Sequence, residues 1–398
     1  MAAFEPLDFH TYHQELPHRL GDGRGAEAAR ASRNLGSLAF RRREGGAYTY
    51  IPGPESVEIV AGDDTADTVI ELDHEVWEAI VQEREAAAGL LYGGRARCER
   101  GKAIRWLDWE PGLRAMYNGR PFYDPAAVLV ELEDRHGVQL NPGQTFALDD
   151  DRDDMAHFLR TAGYLFVRNV FSAPEVEQFL AEAHELRSEA VKGDKLSWWG
   201  KNARGEEVLC RVTRAGAKPA LRGLPSDPRL LALKDLSHET LEHRRRGSAD
   251  EGVSVIFKNP DMKEGLSDIP WHRDCGMGGH AINCPVLIVS TFLTPSNPET
   301  GELKMLPGSW NRACAPIDAN HPKAPKGASF DASPGDVSLH YSDTMHAAPP
   351  PGGSDETYRV SAVTGYVRPG AGSRNYNAVL HQREDGQIEH LTEVARRR

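Results

Sequence analysis

The feature that most constrains this chain is the run His272-Arg273-Asp274, followed 74 residues later (346 − 272) by His346. Residues two apart on a β-strand point to the same side of the sheet, so His272 and Asp274 can reach one metal ion without bending the backbone. The third ligand then has to come from a distant strand. Two imidazoles and one carboxylate on one face of Fe(II) leave open positions for an organic acid and O2. We therefore predict a β-rich fold in which His272, Asp274 and His346 bind iron in an oxygenase.

A strand with an anion-binding residue follows the third histidine. Residues 358–366 alternate as a strand, in which Arg359 can take a carboxylate bidentately and Ser361 shares the face of Arg359. His340 competes with His346 as the third ligand. Its place inside the preceding strand favours a packed or supporting role, so we prefer His346 as the ligand.

Several longer segments around these residues carry a family resemblance. They are residues 158–171, 258–261, 301–310 and the pair Gly335-Asp336. Together with the ligand motif, they resemble the phytanoyl-CoA dioxygenase family of Fe(II)/2-oxoglutarate enzymes over about residues 146–369. The resemblance implies an all-β core with flanking helices, built as a double-stranded β-helix, or jelly roll, whose mouth holds the iron.

The family resemblance also implies cofactors and a reaction. 2-Oxoglutarate would be held by Arg359, with Ser361 beside it and Thr291, on the strand 289–293, as a further candidate. O2 would convert 2-oxoglutarate to succinate and CO2, with hydroxylation of a C–H bond as the default outcome. Asp274 argues against halogenation, because related halogenases lack this carboxylate and use its place for halide. Desaturation, ring formation and endoperoxidation use the same ligands and stay open.

Composition and charge narrow the class of protein. The chain has 398 residues, of which 39% are hydrophobic, enough for packed cores. Its net charge, 47 − 59 = −12, disfavours nucleic acid and anionic membranes as main partners. Five scattered cysteines without a Cys-x-x-Cys pair indicate neither a disulfide framework nor a zinc cluster, and no span approaches 20 apolar residues. We expect a cytoplasmic enzyme with a small-molecule substrate and no integral membrane association, and a homo-oligomer stays open.

A separate pattern of strands and one helix precedes the oxygenase region. The strands before residue 61 are expected to form an antiparallel sheet, followed by one further strand and by a helix over residues 74–85. This order resembles a sterol carrier protein type 2 domain over about residues 30–120, which implies a lipid tunnel. The alternative is a small α+β module that only packs against the oxygenase. The predicted strands span residues 35–40, 47–51, 56–60 and 68–72.

Aromatic residues in this N-terminal region suit either an apolar pocket or an ordinary core. They are Tyr48, Trp77, Tyr92, Trp106, Trp109 and Tyr117. We divide the chain into a sterol-carrier-like α+β domain at 1–124, a linker at 125–145 and the dioxygenase jelly roll at 146–398.

Four local features have both a structural and a functional interpretation. The acidic run 149–154 fits the start of a helix better than a calcium loop. Residues 172–175 form a capping box that opens a scaffold helix. Residues 198–199, both tryptophan, are either a lid on a loop or plain core. The glycine-rich run 275–280 lacks the Lys-Ser/Thr of a phosphate loop and is expected to shape the rim of the site.

Three functions follow from these observations. The first is an Fe(II)/2-oxoglutarate hydroxylase acting on a hydrophobic small molecule such as an isoprenoid, steroid or fatty acyl derivative. The second is the same chemistry on a polar natural-product intermediate or amino acid, with the N-terminal module purely architectural. The third is a lipid carrier without enzymatic activity, which predicts a broken iron triad, whereas this triad is intact.

Overall fold

A computed structural model gives the fold of most of the chain. The predicted rim at residues 275–280 lies outside the described residues. The described residues are 5–92, 94–194, 196–243, 252–262, 269–274, 286–319, 321–353 and 358–369.

The N-terminal part is an α+β unit that begins with two helices which the sequence patterns above do not predict. In the first helix Phe9, Tyr12 and Leu16 are buried on one face, and Asp8 caps it by accepting a hydrogen bond from the N–H of Thr11 at 2.8 Å. The elements are α1 (Phe9–Arg19), α2 (Arg24–Ser32), β1 (Leu38–Arg42), β2 (Ala47–Pro52), β3 (Val57–Ala61), β4 (Thr68–Leu72), α3 (His74–Val81), α4 (Ala87–Tyr92), β5 (Ala96–Arg100) and α5 (Ala103–Asn118).

The sheet of this unit is mixed. Its strand order is β3-β2-β1-β4-β5, in which β1 pairs antiparallel with β2 but parallel with β4. The predicted antiparallel pairing of the three strands before residue 61 is confirmed, whereas the parallel pairing of β4 with β1 was not predicted. The reason is the connection 62–67, which returns the chain to the free side of β1 instead of placing β4 next to β3. At its end, Asp67 accepts hydrogen bonds from the N–H and hydroxyl of Ser37, at 2.7 and 2.8 Å, and so fixes β4 beside β1.

Helix α3 ends at Val81 and not at residue 85 as predicted. The backbone of Glu83 has a φ of 53°, in the left-handed region, and this conformation stops the helix. The Glu83 carboxylate receives ion pairs from Arg114 at 2.9 Å and Arg120 at 2.8 Å. These contacts outweigh the local helical pattern.

The C-terminal part begins with short helices and continues as two sheets. Its elements are α6 (Pro125–Glu131), α7 (Arg152–Ala162), β6 (Tyr164–Val167), α8 (Ala173–Glu189), β7 (Ser197–Lys201), β8 (Glu207–Val212), α9 (Pro219–Gly223), α10 (Pro228–Lys234), β9 (Glu242–His243), β10 (Val253–Lys258), β11 (Ile269–His272), β12 (Leu287–Phe292), β13 (Lys304–Met305), β14 (Ala328–Ser329), β15 (Val337–Tyr341), β16 (His346–Ala348) and β17 (Arg359–Val367).

The two sheets have the topology of a jelly roll. The larger sheet has the order β6-β15-β12-β17-β10-β8-β7, with β9 added on β17, and the smaller sheet has the order β11-β16-β13-β14. Strands far apart in sequence therefore become neighbours, as β12 and β17 do. This is the double-stranded β-helix that the resemblance implies, and it brings strands β11 and β16 of the smaller sheet together.

The local predictions around the core have different outcomes. Asp151 caps α7 by accepting the N–H groups of Asp153 and Asp154, and the N–H of Ser172 donates to Glu175 at 2.8 Å at the start of α8, so both helix starts are confirmed. Residues 198–199 lie in β7, paired with β8, and not on a loop as the lid interpretation expected.

Buried apolar side chains form two large clusters. One contains residues between Phe9 and Tyr117, and the other contains residues between Tyr123 and Tyr366. Val128 and Leu140, from the segment predicted as a linker, belong to the second cluster. We propose a two-unit organisation on this basis. Among the described residues, no helix is long and apolar enough to cross a membrane.

Candidate metal and co-substrate site

The three predicted metal ligands lie together at the ends of two paired strands. His272 is the last residue of β11 and His346 is the first of β16, and the antiparallel register places them opposite each other. Their ring centroids are 4.1 Å apart. One donor atom from each of His272, Asp274 and His346 lies within 4.8 Å of the other two. A single metal ion can contact all three.

Hydrogen bonds to the backbone select the ring nitrogens that face this point. His272 Nδ1 lies 2.8 Å from the carbonyl oxygen of Pro270, and His346 Nδ1 lies 3.0 Å from that of Thr344. Because a carbonyl oxygen only accepts, each Nδ1 carries the proton and each Nε2 keeps a lone pair. These Nε2 atoms are 3.6 and 3.8 Å from Oδ1 of Asp274. Two imidazole nitrogens and one carboxylate oxygen form the donor set that suits Fe(II).

The surroundings favour the protonation states that a metal needs. Burial lowers the pKa of His346 well below its usual value, and the adjacent His272 and His340 add to this effect. Burial acts to raise the pKa of Asp274, but the contact with His272 and the nearby imidazoles outweigh it and hold that pKa well below 3.8. A neutral imidazole and an ionised carboxylate are thus available at neutral pH.

His340 lies next to this group, on the far side of the carboxylate. It is 2% exposed, its Nε2 is 4.0 Å from Oδ2 of Asp274, and its ring centroid is 4.5 Å from that of His346. Neither of its nitrogens has a hydrogen-bond partner among the described residues. Burial lowers its pKa to about 4, so the ring is neutral at pH 7. The structure therefore places His346, and not His340, in the converging group.

Arg359 is buried in the first position of β17 without a counter-ion in the part of the chain that the structure describes. Its side chain is 5% exposed, and its Nε and Nη1 atoms have no hydrogen-bond partner there. Burial lowers the pKa of Arg359 to about 10. An uncompensated buried guanidinium is costly, and its planar fork matches a carboxylate. The residues present fit an organic acid such as 2-oxoglutarate.

The strand register decides which predicted co-substrate residues share a face. Arg359 and Ser361 point to one face of the larger sheet, and Ala362 points to the other. Thr291 pairs directly with Ala362 and so lies on the opposite face from Arg359. The structure brings Ser361 together with Arg359 but separates Thr291 from them, and its neighbour Ser290 takes the inward position. Spacing along the sequence cannot reveal this, because it does not give the register.

We call the sheet face that carries Arg359 and Ser361 the inner face. Ile288 pairs with His340 on one side and with Gly365 on the other, and Gly365 lies on the same face of β17 as Arg359 and Ser361. His340 therefore also lies on the inner face, which extends to the metal-binding group. Three apolar positions on the inner face are partly exposed. They are Ile256, Ile288 and Val363.

Two polar side chains on the inner face were missed by the sequence reasoning. Ser338 pairs with Ser290, and its hydroxyl has no hydrogen-bond partner among the described residues. Arg211 donates to the hydroxyl of Ser254 at 2.8 Å and lies 4.8 Å from the ring of Trp198, while its Nε has no partner in the described ranges. No motif marks either residue, and only the paired strands place them on this face.

The aromatic residues of the N-terminal unit form a tight core. Trp77, Trp106 and Trp109 are fully buried, and the hydroxyl of Tyr117 donates to that of Tyr50 at 2.7 Å. A cavity beside Trp106 has a volume of about 10 Å³, which is room for about one water molecule. These residues therefore match the ordinary-core interpretation, and the side chain of Tyr92 lies outside the described residues.

A jelly roll with a two-histidine, one-carboxylate group and a buried arginine defines a class, the Fe(II)/2-oxoglutarate oxygenases. Residues 159–355 match the family model described as phytanoyl-CoA dioxygenase (PhyH). This part of the chain belongs to the phytanoyl-CoA dioxygenase family, whose members depend on Fe(II), 2-oxoglutarate and O2. The family resemblance seen in the sequence is confirmed.

Solved structures are similar over part of the chain. EvdMO1 is 21% identical over 54% of this chain, with a TM-score of 0.44, and this chain spans about half (49%) of its length. AviO1 from Streptomyces viridochromogenes Tue57 is 22% identical over 55% of this chain and 96% of its own, with a TM-score of 0.43. EctD from S. alaskensis, solved with 2-oxoglutarate and 5-hydroxyectoine, is 19% identical over 63% of this chain and 82% of its own, also with a TM-score of 0.43. No curated protein matches the chain.

Proposed function

We propose that His272, Asp274 and His346 bind one Fe(II) ion and that Arg359, with Ser361 beside it, binds the far carboxylate of 2-oxoglutarate. The observation that carries this proposal is the convergence of two Nε2 atoms and Oδ1 of the carboxylate near the sheet face on which the buried Arg359 has unpartnered donors. When bound, iron and 2-oxoglutarate would activate O2 for attack on a C–H bond: one oxygen atom converts 2-oxoglutarate to succinate and CO2, and the other oxidises the substrate.

The residues of this chain orient the bound groups. The carbonyls of Pro270 and Thr344 hold the two imidazole rings with Nε2 toward the metal. His340 lies 4.0 Å behind Asp274, where a small shift would let its Nε2–H donate to Oδ2 and leave Oδ1 for iron. Arg359 fixes one end of the co-substrate.

We propose hydroxylation of a hydrophobic small molecule, such as an isoprenoid, a steroid or a fatty acyl derivative. Support comes from the partly exposed Ile256, Ile288 and Val363 on the inner face. The sterol-carrier-like order of the N-terminal elements gives further support. A cytoplasmic location fits the free thiols of Cys98 and Cys314.

A polar natural-product intermediate or amino acid is the second candidate substrate class. Arg211 and Ser338 favour it, because each offers an unpartnered polar atom on the inner face beyond those that 2-oxoglutarate would use. The filled aromatic core of the N-terminal unit favours an architectural role for that unit.

Coupled turnover separates the two substrate classes. The protein with Fe(II), 2-oxoglutarate and O2 would be given isoprenoid, steroid and fatty acyl compounds and, separately, polar carboxylates, and succinate formation measured against substrate-free protein. We expect a hydrophobic compound to raise succinate formation, the Asp274→Ala variant to abolish it and Arg211→Gln to leave it unchanged. Stimulation by a polar carboxylate alone, lost in Arg211→Gln, would establish the second class. No stimulation by either set would count against both.

A further inference from the structure

A chain of buried ion pairs links the N-terminal unit to the proposed iron ligands. Arg114 on α5 is 3% exposed and pairs through Nε with Glu83 at 2.9 Å and through Nη2 with Asp343 at 2.8 Å. Its Nη1 donates to the carbonyl of Arg312 at 3.3 Å. The other carboxylate oxygen of Asp343 lies 3.4 Å from Nη1 of Arg273. Asp343, which is 1% exposed, thus contacts one guanidinium from each unit.

The contact between Asp343 and Arg273 joins two segments that carry proposed metal ligands. Arg273 stands between His272 and Asp274, one residue past the end of β11, and its side chain reaches Asp343 while the side chains of His272 and Asp274 converge on the metal-binding point. Holding the Arg273 side chain therefore fixes the rotation of the segment that aims both ligands. Asp343 lies in the turn between β15 and β16, three residues before His346.

The N-terminal side of the contact is itself fixed. Glu83 adopts a φ of 53°, a conformation uncommon outside glycine, and in it the carboxylate lies between Arg114 and Arg120. Breaking a buried ion pair leaves an unpaired charge, so Arg114 cannot leave Asp343 without cost. The N-terminal unit thereby restrains the turn that precedes His346.

We propose that Arg114 is a positioning residue for the metal site, acting through Asp343 on both ligand-bearing segments. The proposal rests on the proposed function, since it requires Fe(II) at His272, Asp274 and His346. In this role the N-terminal unit needs no bound lipid, because its helix α5 supplies the arginine that holds Asp343 and, through it, the segments that carry the iron ligands.

The test measures Fe(II) affinity of the full chain under anaerobic conditions with 2-oxoglutarate, together with the thermal midpoint of the metal-free protein. The variants are Arg114→Gln, Arg114→Lys, Arg273→Gln and the double variant Arg114→Gln/Arg273→Gln. The matched control is Arg120→Gln, which weakens the same Glu83 cluster without contacting Asp343.

We expect Arg114→Gln and Arg273→Gln each to weaken Fe(II) binding by roughly 10- to 100-fold, the range seen when supporting partners of metal ligands are removed. The double variant should bind Fe(II) about as tightly as either single variant, because both substitutions act through Asp343. Arg114→Lys should recover much of the affinity. Arg120→Gln should lower the thermal midpoint but keep Fe(II) affinity within about twofold of wild type.

Wild-type Fe(II) affinity in a folded Arg114→Gln protein with a lowered thermal midpoint would overturn the proposal, because Arg114 would then only hold the units together. If Arg114→Gln does not fold, unchanged affinity in Arg273→Gln would overturn it equally. Absence of Fe(II) binding in the wild-type protein would instead refute the proposed function on which it rests.

Discussion

Replacing Arg359 is predicted to have opposite effects on the stability of the ligand-free protein and on ligand binding. The fall of its pKa from 12.5 to about 10 under burial corresponds to roughly 3 kcal/mol against the charged form, an upper limit for its cost to the ligand-free fold. Replacing it by methionine removes the charge and keeps most of the volume. We expect Arg359→Met to raise the stability of the ligand-free protein by roughly 1–3 kcal/mol, or several degrees in thermal midpoint.

The same substitution should remove the response to 2-oxoglutarate. Two charge-assisted hydrogen bonds from the planar fork of the guanidinium to a carboxylate are worth roughly 3 kcal/mol together, or about 100-fold in Kd. With Mn(II) as a redox-inert metal, 2-oxoglutarate at 100 times its Kd should stabilise the wild-type protein by about 2.7 kcal/mol and leave Arg359→Met almost unchanged. Thermal denaturation followed by circular dichroism measures both effects.

The control for this experiment is Arg368→Met, an exposed arginine just beyond β17. It should match the wild-type protein in both measurements. A ligand-free Arg359→Met protein that is less stable than wild type would show that Arg359 has a structural counter-ion. Equal stabilisation of Arg359→Met by 2-oxoglutarate would refute the role of Arg359 in co-substrate binding.

Two further substitutions test the N-terminal core and the turn before His346. Burial raises the pKa of Glu110 to about 7, so the folded protein holds a proton that the unfolded chain releases above pH 4.5. This contribution to stability is present below pH 4.5 and is lost as the pH rises through 7. Between pH 4.5 and 8, the free energy of unfolding of the wild-type protein, measured by urea denaturation, should therefore fall by roughly 1–3 kcal/mol relative to that of Glu110→Gln. Parallel pH dependences of the two proteins would contradict this prediction. Gly163 has a φ of 89°, and a Cβ there would lie 2.7 Å from Trp310 and 2.8 Å from the hydroxyl of Thr344, so Gly163→Ala should cost roughly 2–4 kcal/mol by the same assay. Gly205→Ala, with a similar φ and open space around it, should cost clearly less, and equal losses would contradict the steric argument.

The jelly-roll fold of the C-terminal part was implied by the family resemblance, whereas the candidate metal ligands and the helix starts could be predicted because their signals are local. His272 and Asp274 are only two residues apart in the sequence, and the capping box at residues 172–175 needs only neighbouring residues. The start of α7 at Asp151 is of the same kind. Signals of this type depend on a few residues whose geometry is fixed by the backbone.

Features that depend on pairing between distant strands were not predictable. Thr291 and Ser290 differ by one residue, and only the pairing with β17 decides which of them points inward. The parallel pairing of β1 with β4 depends on where a six-residue connection leads, which no periodicity reveals. Arg114 lies 229 residues from Asp343, and no local pattern joins them.

The central claim is that this chain binds Fe(II) and 2-oxoglutarate together at His272, Asp274 and His346. The most direct test is an anaerobic titration with Fe(II) and 2-oxoglutarate that follows the weak visible metal-to-ligand charge-transfer band. We predict a saturable band in the wild-type protein that is absent in His272→Ala and in Arg359→Ala. A well-folded wild-type protein without the band would contradict the account.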